Sequence, residues 1–173
     1  NAAHVDRAAQ HQAPGTPGAP LPPRRRRPMS HPMSRRLPPA VSGSADDVEA
    51  EFYEALQRAD LERLMAVWAD DDEIVCVHPG GARVIGAAAI RASFEAIFAR
   101  GGIPVLPEQV HRLVWSGGAL HHLVERVVVP AEAGGVQEAW VLASNLYFKT
   151  AQGWRLAAHH ASPGMLHEPP GLA

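Results

Sequence analysis

The C-terminal half of the chain contains four long segments rich in β-branched and aromatic residues, with no helical pattern between them. These segments span residues 109–116, 119–130, 137–150 and 154–162. The residue pairs that separate them are Gly117-Gly118, Gly134-Gly135 and Gln152-Gly153. Glycine-containing pairs of this kind favour tight hairpin turns, and strands joined by such turns pair side by side in antiparallel order. The pattern therefore predicts a four-stranded antiparallel meander.

Three stretches before these strands carry apolar residues at helical spacing. The first follows Ser44-Ala45-Asp46-Asp47, which resembles a capping box with acidic residues in the first helical turn. Asp60 can cap a second, short helix, and Gly101-Gly102 closes a third in the way that helices commonly end. The apolar positions of the three stretches are Val48, Phe52, Leu56, Ala59, then Leu61, Leu64, Met65, Trp68, then Ile90, Phe94, Ile97 and Phe98.

Two short strands are expected between the second and third helices. Residues 74–78 have the pattern of a buried strand that stops at Pro79-Gly80-Gly81, and residues 83–85 form a short strand that ends at Gly86. Helices that come first and strands that come last are typical of an α+β domain. We expect a cone in which a curved antiparallel sheet wraps around three N-terminal helices and leaves a pocket at its open end.

The first 43 residues differ in composition from the rest of the chain. They are rich in Pro, Ala, Gly and Arg and have no hydrophobic period, so they cannot bury enough apolar surface to offset the entropy of ordering. We predict a disordered tail over 1–43, a folded domain over 44–163 and a flexible tail over 164–173. Residues 46–173 carry a net charge of −8, which argues against a nucleic-acid-binding surface on the domain.

Cys76 is the only cysteine, which excludes an internal disulfide and a Cys-rich metal site. Because its neighbours are apolar, we expect a buried thiol rather than a nucleophile. No apolar run approaches the roughly 18 residues of a membrane span. No apolar stretch follows the N-terminal arginines as it would in a signal peptide. These features predict a cytoplasmic protein that does not enter a membrane.

The folded part resembles the nuclear transport factor 2-like superfamily, which includes SnoaL-like polyketide cyclases and ketosteroid isomerases. The resemblance covers about residues 46–163. The stretches that carry it are Ala59-Asp60-Leu61, Trp68-Ala69-Asp70-Asp71-Asp72, Val77-His78-Pro79-Gly80, Val84-Ile85-Gly86-Ala87-Ala88-Ala89-Ile90, Ser144-Asn145-Leu146-Tyr147-Phe148 and residues 153–162. It implies the cone-shaped NTF2-like (cystatin-like) fold. It implies no single activity, because the superfamily contains both enzymes and non-catalytic members.

Three pocket positions of the isomerase-like members can be compared with this sequence. Their carboxylate base stands just before the proline that ends the first strand, where this chain has His78. Their tyrosine that holds the oxyanion corresponds to Phe52, with Tyr53 beside it. Their protonated carboxyl donor corresponds to Asn145. The resemblance therefore implies a pocket in the same place, with different chemical groups in it.

Three residues are the candidate catalytic groups, and each has a structural alternative. His78 can shuttle a proton near neutral pH, or can satisfy a nearby backbone carbonyl. Asn145 can orient a ligand carbonyl, or can tie neighbouring strands together. Strand alternation puts Glu125 and Arg126 on opposite faces, and the SnoaL-like resemblance implies that Glu125 faces inward. A buried Glu125 would have a raised pKa and act as an acid or base, or it would form an ion pair across strands.

The remaining candidates are ligand-binding residues. Aromatic side chains wall the pocket or belong to the plain core, and the residues concerned are Phe52, Trp68, Phe94 and Trp115. His159 and His160 take opposite faces, and we expect His160 to face inward because it shares its side with Trp154 and Leu156. Although there are ten histidines, none pairs with a carboxylate at metal-binding spacing on a helix. We expect neither a metal nor a cofactor.

The sequence is compatible with two main functions and with a third that has less support. The first is a small-molecule-binding domain with a mostly apolar pocket for an apolar or carbonyl-containing ligand. The second is an isomerase, cyclase or dehydratase in which His78 is the general base, Asn145 holds the oxyanion and Glu125 assists. The third is an association domain. In each case we expect a homodimer through the outer sheet face, whose apolar residues are Trp140, Leu142, Leu146 and Phe148.

Overall fold

The computed structural model describes residues 43–164. Apart from Gly43 and Gly164, the two tails expected at 1–43 and 164–173 lie outside the described residues. The elements, in chain order, are α1 (Ala45–Arg58), α2 (Leu61–Ala66), β1 (Val75–Val77), β2 (Arg83–Ile85), α3 (Ala87–Phe98), β3 (Val105–Trp115), β4 (Gly118–Pro130), β5 (Val136–Thr150) and β6 (Gly153–Pro163).

The first two helices begin where the sequence predicts. The Ser44 hydroxyl oxygen accepts a hydrogen bond from the Asp47 N–H (3.2 Å), and the Ser44 N–H donates to the Asp47 carboxylate (2.9 Å). This pair is the capping box. The Asp60 carboxylate accepts from the Arg63 N–H (3.1 Å) and caps α2. Both caps satisfy backbone donors that have no partner inside the helix.

The strands form one curved, unclosed sheet in the order β2-β1-β6-β5-β4-β3. The predicted meander β3 to β6 is confirmed, and its pairs are antiparallel. One pair of the sheet departs from this antiparallel order, because β1 lies parallel to β6. The segment before β1 also pairs with β6. The Leu156 N–H donates to the Val67 carbonyl (2.8 Å), and the Ala69 N–H donates to the Leu156 carbonyl (2.8 Å).

Two β-bulges change which residues face the helices. The register of β3 against β4 shifts between Glu108 and His111, where Gln109 has a φ of 51°. In β6, Leu156 pairs with Tyr147 and Ala158 pairs with Leu146, so Ala157 has no partner across the strand pair. An extra residue reverses the alternation of faces beyond it. Residues after each bulge therefore point away from the face that simple alternation predicts.

The core lies between the helices and the inner face of the sheet. Fully or almost fully buried side chains from α1, α3 and the sheet meet there, including Phe52, Phe94, Leu123, Tyr147 and Leu156. The segment between α3 and β3 lies directly on the end of α1: a Cβ at Gly102 would collide with the Gln57 carbonyl, and the Ile103 N–H donates to the Leu56 carbonyl (2.9 Å). This close approach brings the start of β3 against α1.

Within the described residues, no helix combines the length and apolar character needed to cross a membrane.

Candidate functional site

A cavity of about 90 Å³ lies between the helices and the sheet. Its walls are mostly apolar, and Leu56, Phe94 and Val141 are among them. Its polar lining comes from three ionisable side chains, which are His78, Glu125 and His159. Titratable groups in an apolar cavity are a common feature of sites that bind or transform small molecules.

Glu125 lies on the inner face of β4 and is 6% exposed, as the SnoaL-like resemblance implies. Its Oε1 accepts a hydrogen bond from the Tyr53 hydroxyl at 2.8 Å, and no described residue donates to its Oε2. Burial raises the pKa of Glu125 to about 7, the Tyr53 hydrogen bond opposes that rise, and the nearby charge of Glu49 adds to it. The carboxyl can therefore be either protonated or ionised near neutral pH.

His159 lies beside Glu125 and is 4% exposed. Its Nδ1 is 2.6 Å from the Asn145 side-chain oxygen, which can only accept, so Nδ1 carries the proton. Burial is the main cause that lowers the pKa of His159 to about 3, and the ring is therefore neutral. Its Nε2 is then an acceptor, 3.9 Å from Glu125 Oε1.

His78 lies just beyond the end of β1 and is half-buried. Its Nε2 is 3.1 Å from the Ser93 hydroxyl, whose single proton is donated to the Ile90 carbonyl (2.8 Å). The Nε2 must therefore donate to Ser93, which leaves Nδ1 as an acceptor. The ring meets Phe94 edge-on at 4.9 Å, and burial lowers its pKa. A side-chain partner thus fixes the His78 ring.

Asn145 stands behind the cavity rather than in its lining. Its side-chain oxygen accepts from His159, and its Nδ2 donates to the Tyr53 hydroxyl at 3.1 Å. Both ends of the amide are thus engaged, as its structural alternative predicts. Asn145 orients His159 and Tyr53, and through Tyr53 it supports Glu125.

A second buried carboxyl, Glu49, completes the polar cluster on the side away from the cavity. Its Oε2 accepts from the Tyr147 hydroxyl at 2.8 Å and from His121 Nδ1 at 2.9 Å, and it is 3.5 Å from Asn145 Nδ2. Sequence patterns predict no site role for Glu49, His121 or Tyr147, and they give Tyr53 only as the neighbour of Phe52. Glu49 and Tyr53 were detectable, since they lie one helical turn apart beside the apolar stripe of α1.

The aromatic candidates are distributed over different parts of the fold. Phe94 lines the cavity. Phe52 is fully buried behind it, with its ring centroid 5.1 Å from that of His159 and 6.3 Å from that of Trp68. Trp68 is buried but lines another cavity. Two expectations of inward orientation are wrong: Trp115 lies on the outer face over Gly118 and is 45% exposed, and His160 is exposed on the outer face.

The bulges explain both errors. Trp115 follows the bulge of β3 and His160 follows the bulge of β6, so each takes the face opposite to that given by alternation. His159 occupies the inward position that was assigned to His160. The pair His121 and His122 lies in β4, where the pairing is regular, and there the inner histidine is buried and the outer one is exposed.

One group of potential metal ligands is present among residues 43–164. Donor atoms of Asp46, Glu49 and His121 lie within 4.8 Å of one another. His121 Nε2 is buried without a hydrogen-bond partner there. However, Asp46 is paired with the Arg112 guanidinium at 2.7 Å, and Glu49 already accepts from two or more donors. These contacts engage one oxygen of each carboxylate.

The arrangement can move a proton within a mostly apolar cavity. Glu125 supplies a carboxyl that donates when protonated and accepts when ionised, and the two neutral imidazoles supply acceptor nitrogens. A molecule with one carbonyl or hydroxyl group would find matching hydrogen-bond partners there. Acid and base groups on one cavity wall are also the requirement for proton transfer at carbon.

Comparison with known proteins identifies the fold and a set of relatives. The profile of the SnoaL-like domain family matches residues 46–166. A solved structure from Thiobacillus denitrificans, described as a candidate calcium/calmodulin-dependent protein kinase type II association domain, has 32% identity and a TM-score of 0.65, with 72% of this chain and 98% of that chain covered.

A second structure comes from Streptomyces avermitilis and is described as a candidate dehydratase from the NTF2-like family. It has 30% identity and a TM-score of 0.60, with 68% of this chain and 92% of that chain covered. A ketosteroid isomerase-like protein from Erwinia carotovora has 20% identity and a TM-score of 0.56, with 69% of this chain and 93% of that chain covered, and supports the fold alone. No curated protein matches the chain.

Proposed function

Because the chain belongs to the SnoaL-like domain family of the NTF2-like superfamily, we propose that it binds a small, mostly apolar molecule with one carbonyl or hydroxyl group. The ligand occupies the cavity of His78, Glu125 and His159. Glu125 carries this proposal, because a carboxyl that is 6% exposed has one oxygen without a donor at the wall of an apolar cavity. Such a group favours a polar ligand atom at that point.

The size of the cavity limits the ligand. A volume of about 90 Å³ is smaller than the cavity of about 150 Å³ that holds a benzene molecule. The ligand is therefore either smaller than benzene or places only one end in the cavity. In both cases the enclosed part carries the carbonyl or hydroxyl group, because Glu125 and the two histidines are the polar groups of the lining.

Cyclopentanone, which is about the size of benzene, is a suitable probe if its carbonyl end enters the cavity, and saturation-transfer NMR measures its binding. A protonated Glu125 donates to the ketone oxygen and an ionised one repels it, so binding should be several-fold stronger at a pH well below 7 than well above 7. In Glu125→Gln the amide donates at every pH, so the pH dependence should disappear. Glu138→Gln is the control, because Glu138 is exposed on β5. Absence of binding, or a pH dependence that survives in Glu125→Gln, would contradict the proposal.

A second candidate function is proton transfer beside a carbonyl, of the isomerase or dehydratase type. The observation that favours it is the distance of 3.9 Å between His159 Nε2 and Glu125 Oε1. Protonated Glu125 would donate to the carbonyl oxygen while the neutral His159 Nε2 takes a proton from the neighbouring carbon, and an enol forms. Reversal returns a proton to carbon. His159 replaces His78 as the preferred base, since its Nε2 lies 3.9 Å from Glu125 Oε1, whereas the Nε2 of His78 is held by Ser93.

Exchange of the α-protons of cyclopentanone in D₂O tests this function. The protein should accelerate the exchange above the buffer rate, and both His159→Gln and Glu125→Gln should abolish the acceleration. His122→Gln is the matched control, since this histidine lies on the outer face. If cyclopentanone binds saturably but its α-protons exchange no faster than in buffer, the result supports the binding function and contradicts proton transfer.

We also propose that the domain forms a homodimer through the outer sheet face. Rows of apolar residues cross this face, and Leu113 pairs with Leu120, which pairs with Leu146. Leu113 is 65% exposed and Phe148 is 43% exposed, which is a large apolar surface to leave in water. A relative of 32% identity is described as an association domain, which is consistent with self-association of this fold.

Light scattering during size-exclusion chromatography of the full chain measures the dimer. The wild-type protein should have twice the mass of one chain. Leu113→Glu should have the mass of one chain, because it places a charge in the proposed interface. Ile85→Glu should remain dimeric, since Ile85 is exposed on the edge strand β2, at the other side of the sheet. A wild-type mass of one chain would contradict the dimer.

A further inference from the structure

A larger cavity, of about 250 Å³, lies near the hairpin between β5 and β6. Its lining shares no residue with the cavity of Glu125. One wall is the segment that follows α2, which includes Trp68 and Ala69, and another is formed by Phe148 and Arg155. The ligand and proton-transfer functions proposed above do not involve this cavity, and the proposed dimer face adjoins it at Phe148.

Arg155 is an unusual residue in this position. It is 6% exposed, and it forms no ion pair with any residue of the described range. Its Nη1 donates to the backbone carbonyls of Trp154 (3.0 Å) and Gln152 (3.5 Å), while Nε and Nη2 find no acceptor within residues 43–164. Burial lowers its pKa, but a guanidinium stays protonated at neutral pH. The cavity therefore contains a buried cation without a counter-ion from its own domain.

Trp68 lines the same cavity and is 4% exposed. Its indole Nε1 is buried and has no hydrogen-bond partner among the described residues. A buried N–H that lacks an acceptor is rare in folded proteins, because the group has lost its bond to water. The cavity thus contains an unneutralised cation, Arg155, and the indole of Trp68 forms part of its wall.

We propose that this cavity binds a small monocarboxylate with an apolar body. The planar carboxylate matches the remaining guanidinium donors of Arg155. The apolar body lies against Met65 and Phe148, which also line the cavity. The volume exceeds the roughly 150 Å³ that accommodates benzene, so a ligand of the size of benzoate fits.

The charge of the rim restricts the ligand to a single negative charge. Asp70 and Asp71 line the cavity at its exposed side. Their carboxylates repel a second negative charge on the ligand, whereas the inner Arg155 balances the first. Inorganic phosphate, which is partly a dianion at neutral pH and has no apolar part, should therefore bind poorly.

The test is a titration of the full chain labelled with ¹⁵N, followed through the indole N–H signal of Trp68. The signal is assigned by its loss in Trp68→Phe. Benzoate should shift this signal saturably, and benzamide, which has the same shape without the charge, should bind at least about tenfold more weakly. Inorganic phosphate at the same ionic strength should give no saturable shift.

Arg155→Met should weaken benzoate binding at least about tenfold, which corresponds to the loss of one charged contact. Arg112→Met is the control, because Arg112 is exposed and paired with Asp46, and it should bind as the wild type does. The proposal is overturned if the wild type gives no saturable shift with benzoate, if benzamide binds equally well, or if Arg155→Met retains the affinity. The first two outcomes need only wild-type protein, so they apply even if a variant fails to fold.

Discussion

Glu125 and Arg155 each line a cavity, and each is 6% exposed. They respond differently to the same degree of burial. The pKa of Glu125 rises to about 7, so this carboxyl can give up its charge near neutral pH, whereas Arg155 keeps its charge although burial lowers its pKa. Burial therefore produces an adjustable proton donor in one cavity and a fixed cation in the other.

The two residues also differ in how many hydrogen-bond partners the protein places around them. Behind Glu125 lies a cluster of hydrogen-bonded side chains that includes Tyr53, Asn145 and Glu49. Arg155 has only two backbone carbonyls as acceptors within residues 43–164. We infer that the first cavity depends on a prearranged network of the protein, and that the second is completed by its ligand.

The largest effect is expected from Glu49→Ala, which removes the acceptor at the far end of the network. The hydroxyl of Tyr147 and the Nδ1–H of His121 would lose their partner in a place that water does not reach. We expect a loss of about 3 to 5 kcal/mol in the free energy of unfolding, measured by urea denaturation. Glu95→Ala is the control, because the Glu95 side chain is exposed on α3. An equal loss in both variants would show that Glu49 does not hold the network together.

The second effect is the pH dependence that Glu125 imposes on stability. Its pKa is about 7 in the folded protein against 4.5 for an ordinary glutamate, so the folded state holds the proton more tightly. Stability from this group is complete below pH 4.5 and is lost as the pH rises through about 7. The loss amounts to about 3 kcal/mol.

Glu125→Gln isolates this contribution from that of other groups such as His159. The difference in unfolding free energy between the wild type and the variant should move in favour of the variant as the pH rises from below 4.5 to above 7. Denaturation curves at a series of pH values measure it. Arg155→Met should produce no such dependence over this range, since the guanidinium does not titrate there. A constant difference for Glu125→Gln would contradict the raised pKa.

A smaller effect is expected from Tyr53→Phe. The change removes the donor to Glu125 and the acceptor of Asn145, and should lower the unfolding free energy by about 1 to 3 kcal/mol. Because the Tyr53 hydrogen bond lowers the pKa of Glu125, its loss should raise that pKa further. The carboxyl ¹³C signal of Glu125 in an NMR titration reports this shift. A lower unfolding free energy without a change in the pKa of Glu125 would mean that Tyr53 contributes only to packing.

The sequence predicts the fold well because its local patterns are clear. The caps at Ser44 and Asp60 and the glycine pairs between strands each have a local physical cause. The parallel pairing of β1 with β6 has no local pattern, because the two strands lie far apart in the chain.

The site was harder to predict, and β4 and β6 illustrate why. Alternation correctly puts Glu125 and Arg126 on opposite faces, because the pairing of β4 with β5 is regular, and the SnoaL-like resemblance gives the inner face to Glu125. It gives the wrong face for His160, because the extra residue Ala157 reverses the order. No residue type in this strand predicts the bulge. Glu49 was missed for another reason, since an acidic residue near a helix start is ordinarily exposed.

The smallest effect on stability is expected from Arg155→Met, and it distinguishes the two cavities most directly. Methionine retains an apolar chain of similar length and removes a buried charge that has no counter-ion among the described residues. Two backbone carbonyls of the hairpin lose their donor, which offsets part of the gain. We expect a change of less than about 1 kcal/mol in the unfolding free energy, measured by urea denaturation without carboxylate in the buffer. A loss of several kcal/mol would mean that Arg155 supports the hairpin as Glu49 supports its network, and that the second cavity, like the first, is completed by the protein itself.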